Sequence, residues 1–287
     1  MLVGVKIDGL IVSAVVREQV KKTVLELVAK KIQPCLATVL VGDNSASATY
    51  VKNKQKACAE VGIRTKDHKL PASTTQSELN ALVDKLNSDP EVHGILVQLP
   101  LPPQCSEFET TSRISPLKDV DGLTPQNSGL LSMKKAVLKA CTPSGIMELF
   151  SYYSISLEGK NVVIINRSNL VGKPLIHMLL EKNSTVTIAH SKTKNLDDIC
   201  KNADIIVTGV GDRTKFTLVP EMIKEGAVVI DVATSRLDGN LVGDCEFEKI
   251  IQKASFASPV PGGVGPMTIA MLLKNTVTAA SLYNGRN

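Results

Sequence analysis

Apolar and polar positions follow two rhythms along this chain. Continuous apolar blocks at PCLATVLVGD (34–43) and HGILVQLPLPP (93–103), and near 161–165, 185–189, 204–208 and 227–232, read as strands buried on both faces. Between them, apolar residues return every three or four positions, the period of a helix with one buried face, over 11–30, over SASATYVKNKQKACAEVG at 45–62, and over 75–87. Gly62 closes the second of these helices, and prolines stop the strand at 93–103. Alternation of strand and helix predicts an α/β protein with largely parallel sheets.

The chain has 287 residues, long for one domain and comfortable for two. The punctuated stretch CTPSGIMELFSYY (141–153) marks the join. A first α/β domain is expected over 1–145 and a second, more regular and Rossmann-like, over 146–266. A terminal helix over about 267–287 is expected to pack back on the first domain.

Composition narrows the class. With 43% hydrophobic and 21% charged residues the chain can bury real cores, and its apolar runs fall far short of the roughly 20 residues of a membrane span. Lys6 and Asp8 break the N-terminal apolar stretch, which argues against a signal peptide. Six dispersed cysteines without a CxxC pair, and four histidines without metal spacing, point to a reduced cytoplasmic setting and no metal site. The net charge of +5 is spread thinly and lacks the aromatic interleaving of a nucleic-acid surface, so small anionic ligands suit it better.

Five stretches carry candidate chemistry, each with a plainer reading. Tyr50 and Lys54 stand four apart on one helix face with Ser47 one turn earlier, as a site or as side chains snorkelling at a surface. Gln98, in an apolar strand end, needs partners if buried, or is only a glutamine capped by backbone at a strand end. In KDVDGL, Asp119 and Asp121 alternate sides, so at most one faces a given pocket, unless the stretch is only an Asp-Gly turn. SPVPGGVGPMT (258–268) offers bare backbone to a flat ligand or forms a stiff turn. NRSNLVGKP (166–174) sits between strand and helix, where amide donors and the helix dipole favour an anion, with Arg167, Ser168 and Lys173 as side-chain partners, or it is a solvated loop, since the first glycine of a nucleotide loop is missing. The next strand ends in His190-Ser191-Lys192-Thr193, without the carboxylate an NAD enzyme places there, which favours NADP.

Taken together, TYVKNKQK, GILVQLPLP, KDVDGL, CTPSG, NRSNLVGKP, IAHSKT and SPVPGGVGPMT resemble, in order and spacing, the signature segments of the bifunctional methylenetetrahydrofolate dehydrogenase/methenyltetrahydrofolate cyclohydrolase family. The resemblance implies NADP-dependent oxidation of 5,10-methylenetetrahydrofolate and hydrolysis of the methenyl product to 10-formyltetrahydrofolate. It implies Lys54 as the central catalytic residue, Tyr50 shaping the pocket, Gln98 bonding Lys54 or the folate, Asp121 anchoring the pterin, and Asp119 as structural. Ser47 and the backbone at Pro261, Gly262 and Gly263 would complete the folate site. Asn166, Arg167, Ser168, Ser191 and Thr234 would hold NADP, and the enzyme would be a cytoplasmic homodimer. A monofunctional member or a silent folate-binding protein are the alternatives. The chain departs from the family where glycine is usual at Asn166, where DVATS (231–235) replaces a DVGI-type segment, and where Ala140 stands for a frequent proline. Asparagine tolerates a left-handed backbone, so Asn166 is expected to keep the glycine's conformation while its side chain crowds or hydrogen-bonds the loop.

Overall fold

The computed structural model describes residues 3–237 and 239–284, and the chain divides into two compact units. It enters through β1 (Val5–Lys6) and α1 (Gly9–Ala29). The first unit, Ala14–Cys141 with Ile269–Asn287, contains β2 (Cys35–Val41), α2 (Ser45–Val61), β3 (Arg64–Leu70), α3 (Gln76–Ser88), β4 (Gly94–Val97), α4 (Glu107–Arg113) and α5 (Pro125–Ser132). Its strands form one parallel sheet in the order β3-β2-β4. Every residue of β2 is buried, as its unbroken apolar run requires of a central parallel strand. Ala37, Val39, Val41 and Ile95 meet Leu79, Val83 and Leu86 in the core, each large side chain contributing about 1.5–3 kcal/mol of apolar burial.

The polar strand β3 has no apolar signature because it lies at the sheet edge, where RTKDHKL needs only to present backbone to β2. The strand foreseen over 93–103 is four residues long and ends at Val97. Gln98 still donates its N–H to Val39 O at 2.8 Å. Helix α2 starts at Asn44, whose side chain accepts the Ser47 N–H at 3.0 Å, and stops at left-handed Gly62. Helix α3 carries a full capping box between Thr75 and Glu78.

The second unit takes the residues up to Ser13 and Thr142–Thr268. It contains α6 (Cys141–Tyr152), β5 (Asn161–Ile165), α7 (Gly172–Leu180), β6 (Thr185–Ala189), α8 (Leu196–Lys201), β7 (Ile205–Thr208), a 3₁₀ turn (Pro220–Met222), β8 (Val228–Asp231), the hairpin β9 (Ser235–Leu237) and β10 (Asn240–Val242), α9 (Phe247–Ile250) and β11 (Phe256–Ala257). The closing helix α10 (Val264–Asn284) begins here and continues in the first unit.

Six strands form a parallel sheet in the order β1-β11-β8-β7-β5-β6. Its core gathers Val163, Ile165, Ile206, Leu218 and Val229. The N-terminal residues, expected with the first domain, lie here instead. Val5 pairs with Phe256 and Lys6 with Ala257, and the Ile7 N–H reaches Ala257 O at 2.8 Å. Both residues of β1 are exposed, so backbone pairing alone recruits them and no hydrophobic pattern announces it.

Candidate active site

In the first unit, Lys54 and Gln98 meet. Lys54 projects from α2, and its Nζ donates to Gln98 Oε1 at 3.0 Å. Gln98 follows the last residue of β4, and its Nε2 donates to Leu99 O at 2.7 Å, which turns the amide oxygen toward the lysine. Tyr50, one helical turn before Lys54, is half-exposed, and Ser47 is buried.

Asp121 belongs to the same group through charge. Burial pushes its carboxyl above the usual range, the Lys54 charge pulls it back down, and the Asp119 charge raises it. The turn holding Asp121 is built by its neighbour. Asp119, fully buried, accepts from the amides of Gly122, Leu123 and Thr124 at 2.9, 3.1 and 2.8 Å and from Asn127 Nδ2 at 2.8 Å. Gly122 is left-handed at φ +71°, and a Cβ there would lie 2.3 Å from Lys139 C. The segment also runs beside β4, with Asp119 bridging Ile95. Asn275 on α10 donates to Val120 O and Lys139 O, both at 2.8 Å. No local pattern marks Asn275, because its partners lie more than a hundred residues away in sequence.

In the second unit, β6 lies on one side of β5 and β7 on the other. The strand order therefore reverses between β5 and β7, and the crevice at their C-terminal ends is where open α/β sheets bind ligands. Asn166, just past β5, spans that crevice. Its Nδ2 donates to Gly209 O at 2.6 Å, while its Oδ1 accepts from Ser168 N and Ser168 Oγ at 2.8 Å and from Gly172 N at 3.0 Å.

The expected left-handed backbone is absent at Asn166. The non-glycine residues with positive φ are Lys31, Lys134, Ser154, Asn183 and Asn195 among those described. What asparagine supplies is its amide side chain. The close approach falls on Gly172 instead, where a Cβ would lie 2.2 Å from Asn166 O.

The same contacts change how this loop can hold an anion. The N–H groups of Val171, Gly172 and Lys173, at the start of α7, already bond Ser168 Oγ, Asn166 Oδ1 and Ser168 O. These first-turn amides are thus already engaged, while the Arg167 side chain is exposed. After β6, the His190 N–H bonds Thr193 Oγ1 at 2.8 Å and the Lys192 N–H bonds His190 Nδ1 at 3.2 Å, a compact turn that leaves Ser191 exposed.

At the end of β8, buried Asp231 accepts from Ala233 N at 3.0 Å and Cys245 N at 2.8 Å, and burial drives its carboxyl up to about 6. Ala233 is buried and Thr234 exposed. In the segment before α10, Gly262 has φ +100° and accepts the Gly9 N–H at 2.8 Å. Among the described residues no cluster of His, Cys, Asp or Glu is arranged to hold a metal ion, and no helix is long and apolar enough to cross a membrane.

Two domain models match this chain. Residues 7–121 match the tetrahydrofolate dehydrogenase/cyclohydrolase catalytic domain, and residues 140–284 match the NAD(P)-binding domain of the same family. The chain belongs to the tetrahydrofolate dehydrogenase/cyclohydrolase family. Within that family it is 70% identical over 281 residues to the bifunctional protein FolD of Nitrosopumilus maritimus, covering 98% of each chain. Among solved structures, the bifunctional FolD methylenetetrahydrofolate dehydrogenase/cyclohydrolase from Campylobacter jejuni is 47% identical with a TM-score of 0.93, over 96% of this chain and 98% of that one. The Trypanosoma brucei methylenetetrahydrofolate dehydrogenase-cyclohydrolase, complexed with NADP cofactor and inhibitor, is 38% identical with a TM-score of 0.93 over the whole of both chains. The tetrahydrofolate dehydrogenase/cyclohydrolase catalytic match thus contains Lys54, Gln98 and Asp121, and the NAD(P)-binding match contains the Asn166 loop.

Proposed function

We propose that the chain oxidises 5,10-methylenetetrahydrofolate with NADP and hydrolyses the methenyl product to 10-formyltetrahydrofolate. The observation that carries this reading is the hydrogen bond from Lys54 to Gln98 inside a chain of this family, with Asp121 within reach of the Lys54 charge. Asp121 accepts the paired donors of the pterin 2-amino and N3–H edge, which a carboxylate matches in a two-pronged geometry. Tyr50 and Ser47 shape the pocket beside Lys54, and Pro261, Gly262 and Gly263 offer backbone to the flat rings.

NADP, when bound, accepts the hydride from the methylene carbon. The folate nitrogens stabilise the cation that forms, so the protein's task in that step is positioning. In the hydrolysis, water adds to the methenyl carbon, and the resulting tetrahedral carbinol opens to the formyl product with loss of a proton. Lys54 Nζ, fixed by Gln98, serves this step as an ammonium beside the developing oxygen or as a free amine that takes the water proton, and the pH profile of hydrolysis separates the two.

The second unit fits NADP. Its switch-point crevice is bridged by Asn166, Arg167 supplies an exposed cation, Ser168 and Ser191 supply hydroxyls, Thr234 flanks the end of β8, and no carboxylate stands at 190–193 to repel a 2′-phosphate. Six buried free thiols support a cytoplasmic setting, and family likeness supports a homodimer, which sedimentation of the purified protein tests.

The deciding experiment uses Lys54→Met, which keeps the apolar stem and removes the amine. Hydrolysis of methenyltetrahydrofolate is expected to be abolished or nearly so, with an unchanged circular dichroism spectrum. Hydrolysis at the wild-type rate in that variant would sink the assignment.

A further inference from the structure

The segment Thr208–Gly211, which leaves β7 at the switch-point crevice, is held from two sides. On one side, Gly209 donates its N–H to Ile165 O at 3.3 Å and accepts Asn166 Nδ2 on its carbonyl at 2.6 Å. On the other side stands Asp244, which is fully buried and lies between β10 and α9. Its Oδ2 accepts from Thr208 Oγ1 and from Val210 N, both at 2.7 Å, and its Oδ1 accepts from Gly211 N at 3.1 Å. The peptide groups Gly209–Val210 and Val210–Gly211 therefore cannot reorient without breaking a bond to one of these two side chains, and the one before them is held by the backbone of Ile165 and Val232.

Asp244 is itself fixed. Its carbonyl accepts the Leu218 N–H at 2.8 Å, and Arg213 Nη1 donates to the carbonyls on either side, Gly243 O at 2.7 Å and Cys245 O at 2.8 Å. A buried carboxylate is costly unless its oxygens are filled, and here three donors from a single loop fill them. A continuous chain of hydrogen bonds runs from Asp244 through Gly209 to Asn166, Ser168 and Gly172. It ties the loop after β7 to the loop after β5.

We infer that Asp244 is a positioning residue of the cofactor site: it sets the Thr208–Gly211 backbone that Asn166 grips, and so presets both loops for the dinucleotide without touching it. This inference rests on the NADP reading proposed above. A loop held in the bound shape before binding loses less freedom on binding, so the effect belongs in cofactor affinity more than in turnover.

Asp244→Asn and Thr208→Val test it. The first leaves a single oxygen facing three donors, and the second removes one donor while keeping the side-chain shape. The measurements are direct NADP binding by titration calorimetry, KM for NADP and kcat in the dehydrogenase assay, and methenyltetrahydrofolate hydrolysis, which uses no cofactor, as the check on folding.

Asp244→Asn is expected to weaken NADP tenfold or more and Thr208→Val about threefold, with kcat changed less than twofold and hydrolysis retained. Unaltered NADP affinity in a hydrolytically competent Asp244→Asn protein overturns the inference. Should that variant not fold, unaltered affinity in Thr208→Val overturns it equally. A wild-type protein that binds no NADP removes the cofactor reading and this inference together, whereas wild-type binding unmoved by either substitution removes the inference alone.

Discussion

Asp231 offers a prediction whose sign and size follow from its surroundings. It is buried at the end of β8, and its carboxyl is pushed from 3.8 to about 6, chiefly by burial and against the pull of the amides that bond it. The folded chain therefore holds this proton more tightly than the unfolded chain does. The stabilisation is complete below pH 3.8 and is lost as pH rises through about 6. At about 1.4 kcal/mol per pH unit the full loss is about 3 kcal/mol, of which roughly 1.4 kcal/mol falls between pH 5 and 8.

Asp231→Asn removes the titration and keeps the shape. It leaves one oxygen for the Ala233 and Cys245 amides, a pH-independent cost of about 1–3 kcal/mol. The assay is urea unfolding at steps from pH 5 to 8, with peptide-resolved hydrogen exchange over 228–245 identifying the transition that carries the site. The stability of the variant relative to wild type should rise by roughly 1.4 kcal/mol across that range. Parallel pH profiles for the two proteins would refute the reasoning. Because the Asp231 carboxyl holds Ala233 next to Thr234, KM for NADP should shift over the same window in the wild type and not in the variant.

Three further outcomes are expected. Arg167→Ala should weaken NADP about tenfold or more and NAD less than twofold, since a charge-assisted bond to a 2′-phosphate is what NAD lacks; equal losses would show that Arg167 does not read that phosphate. Gly172→Ala places a methyl group 2.2 Å from Asn166 O, so the loop must shift at a cost of about 1–3 kcal/mol, read as a lower Tm and a higher KM for NADP. A variant with both unchanged would contradict the close approach. Asp121→Ala should raise KM for methylenetetrahydrofolate about tenfold or more while leaving NADP affinity within twofold, and the reverse pattern would remove Asp121 from the pterin site.

Much of the fold was legible along the chain, because buried parallel strands such as CLATVLV and NVVII need apolar residues on both faces and amphipathic helices such as 75–87 need a 3.6 period. Those requirements are local, so the residue pattern alone determines them. So is the spacing that puts Tyr50 and Lys54 on one face of α2, and so are the ordered motifs that place the chain in its family. β3, β1 and the division of the N-terminal residues were not legible, since an edge strand or a two-residue strand is selected by a partner's free backbone groups and not by its own side chains. Only the tertiary structure decided that Asn166 lacks a left-handed backbone and which groups its side chain bonds, because its partners Gly209 and Gly172 come from different loops. For the same reason the roles of Asp231, Asp244 and Asn275 became visible only in three dimensions. A buried polar side chain must be satisfied wherever the fold brings a partner, and its own sequence neighbourhood carries no trace of which partner that is.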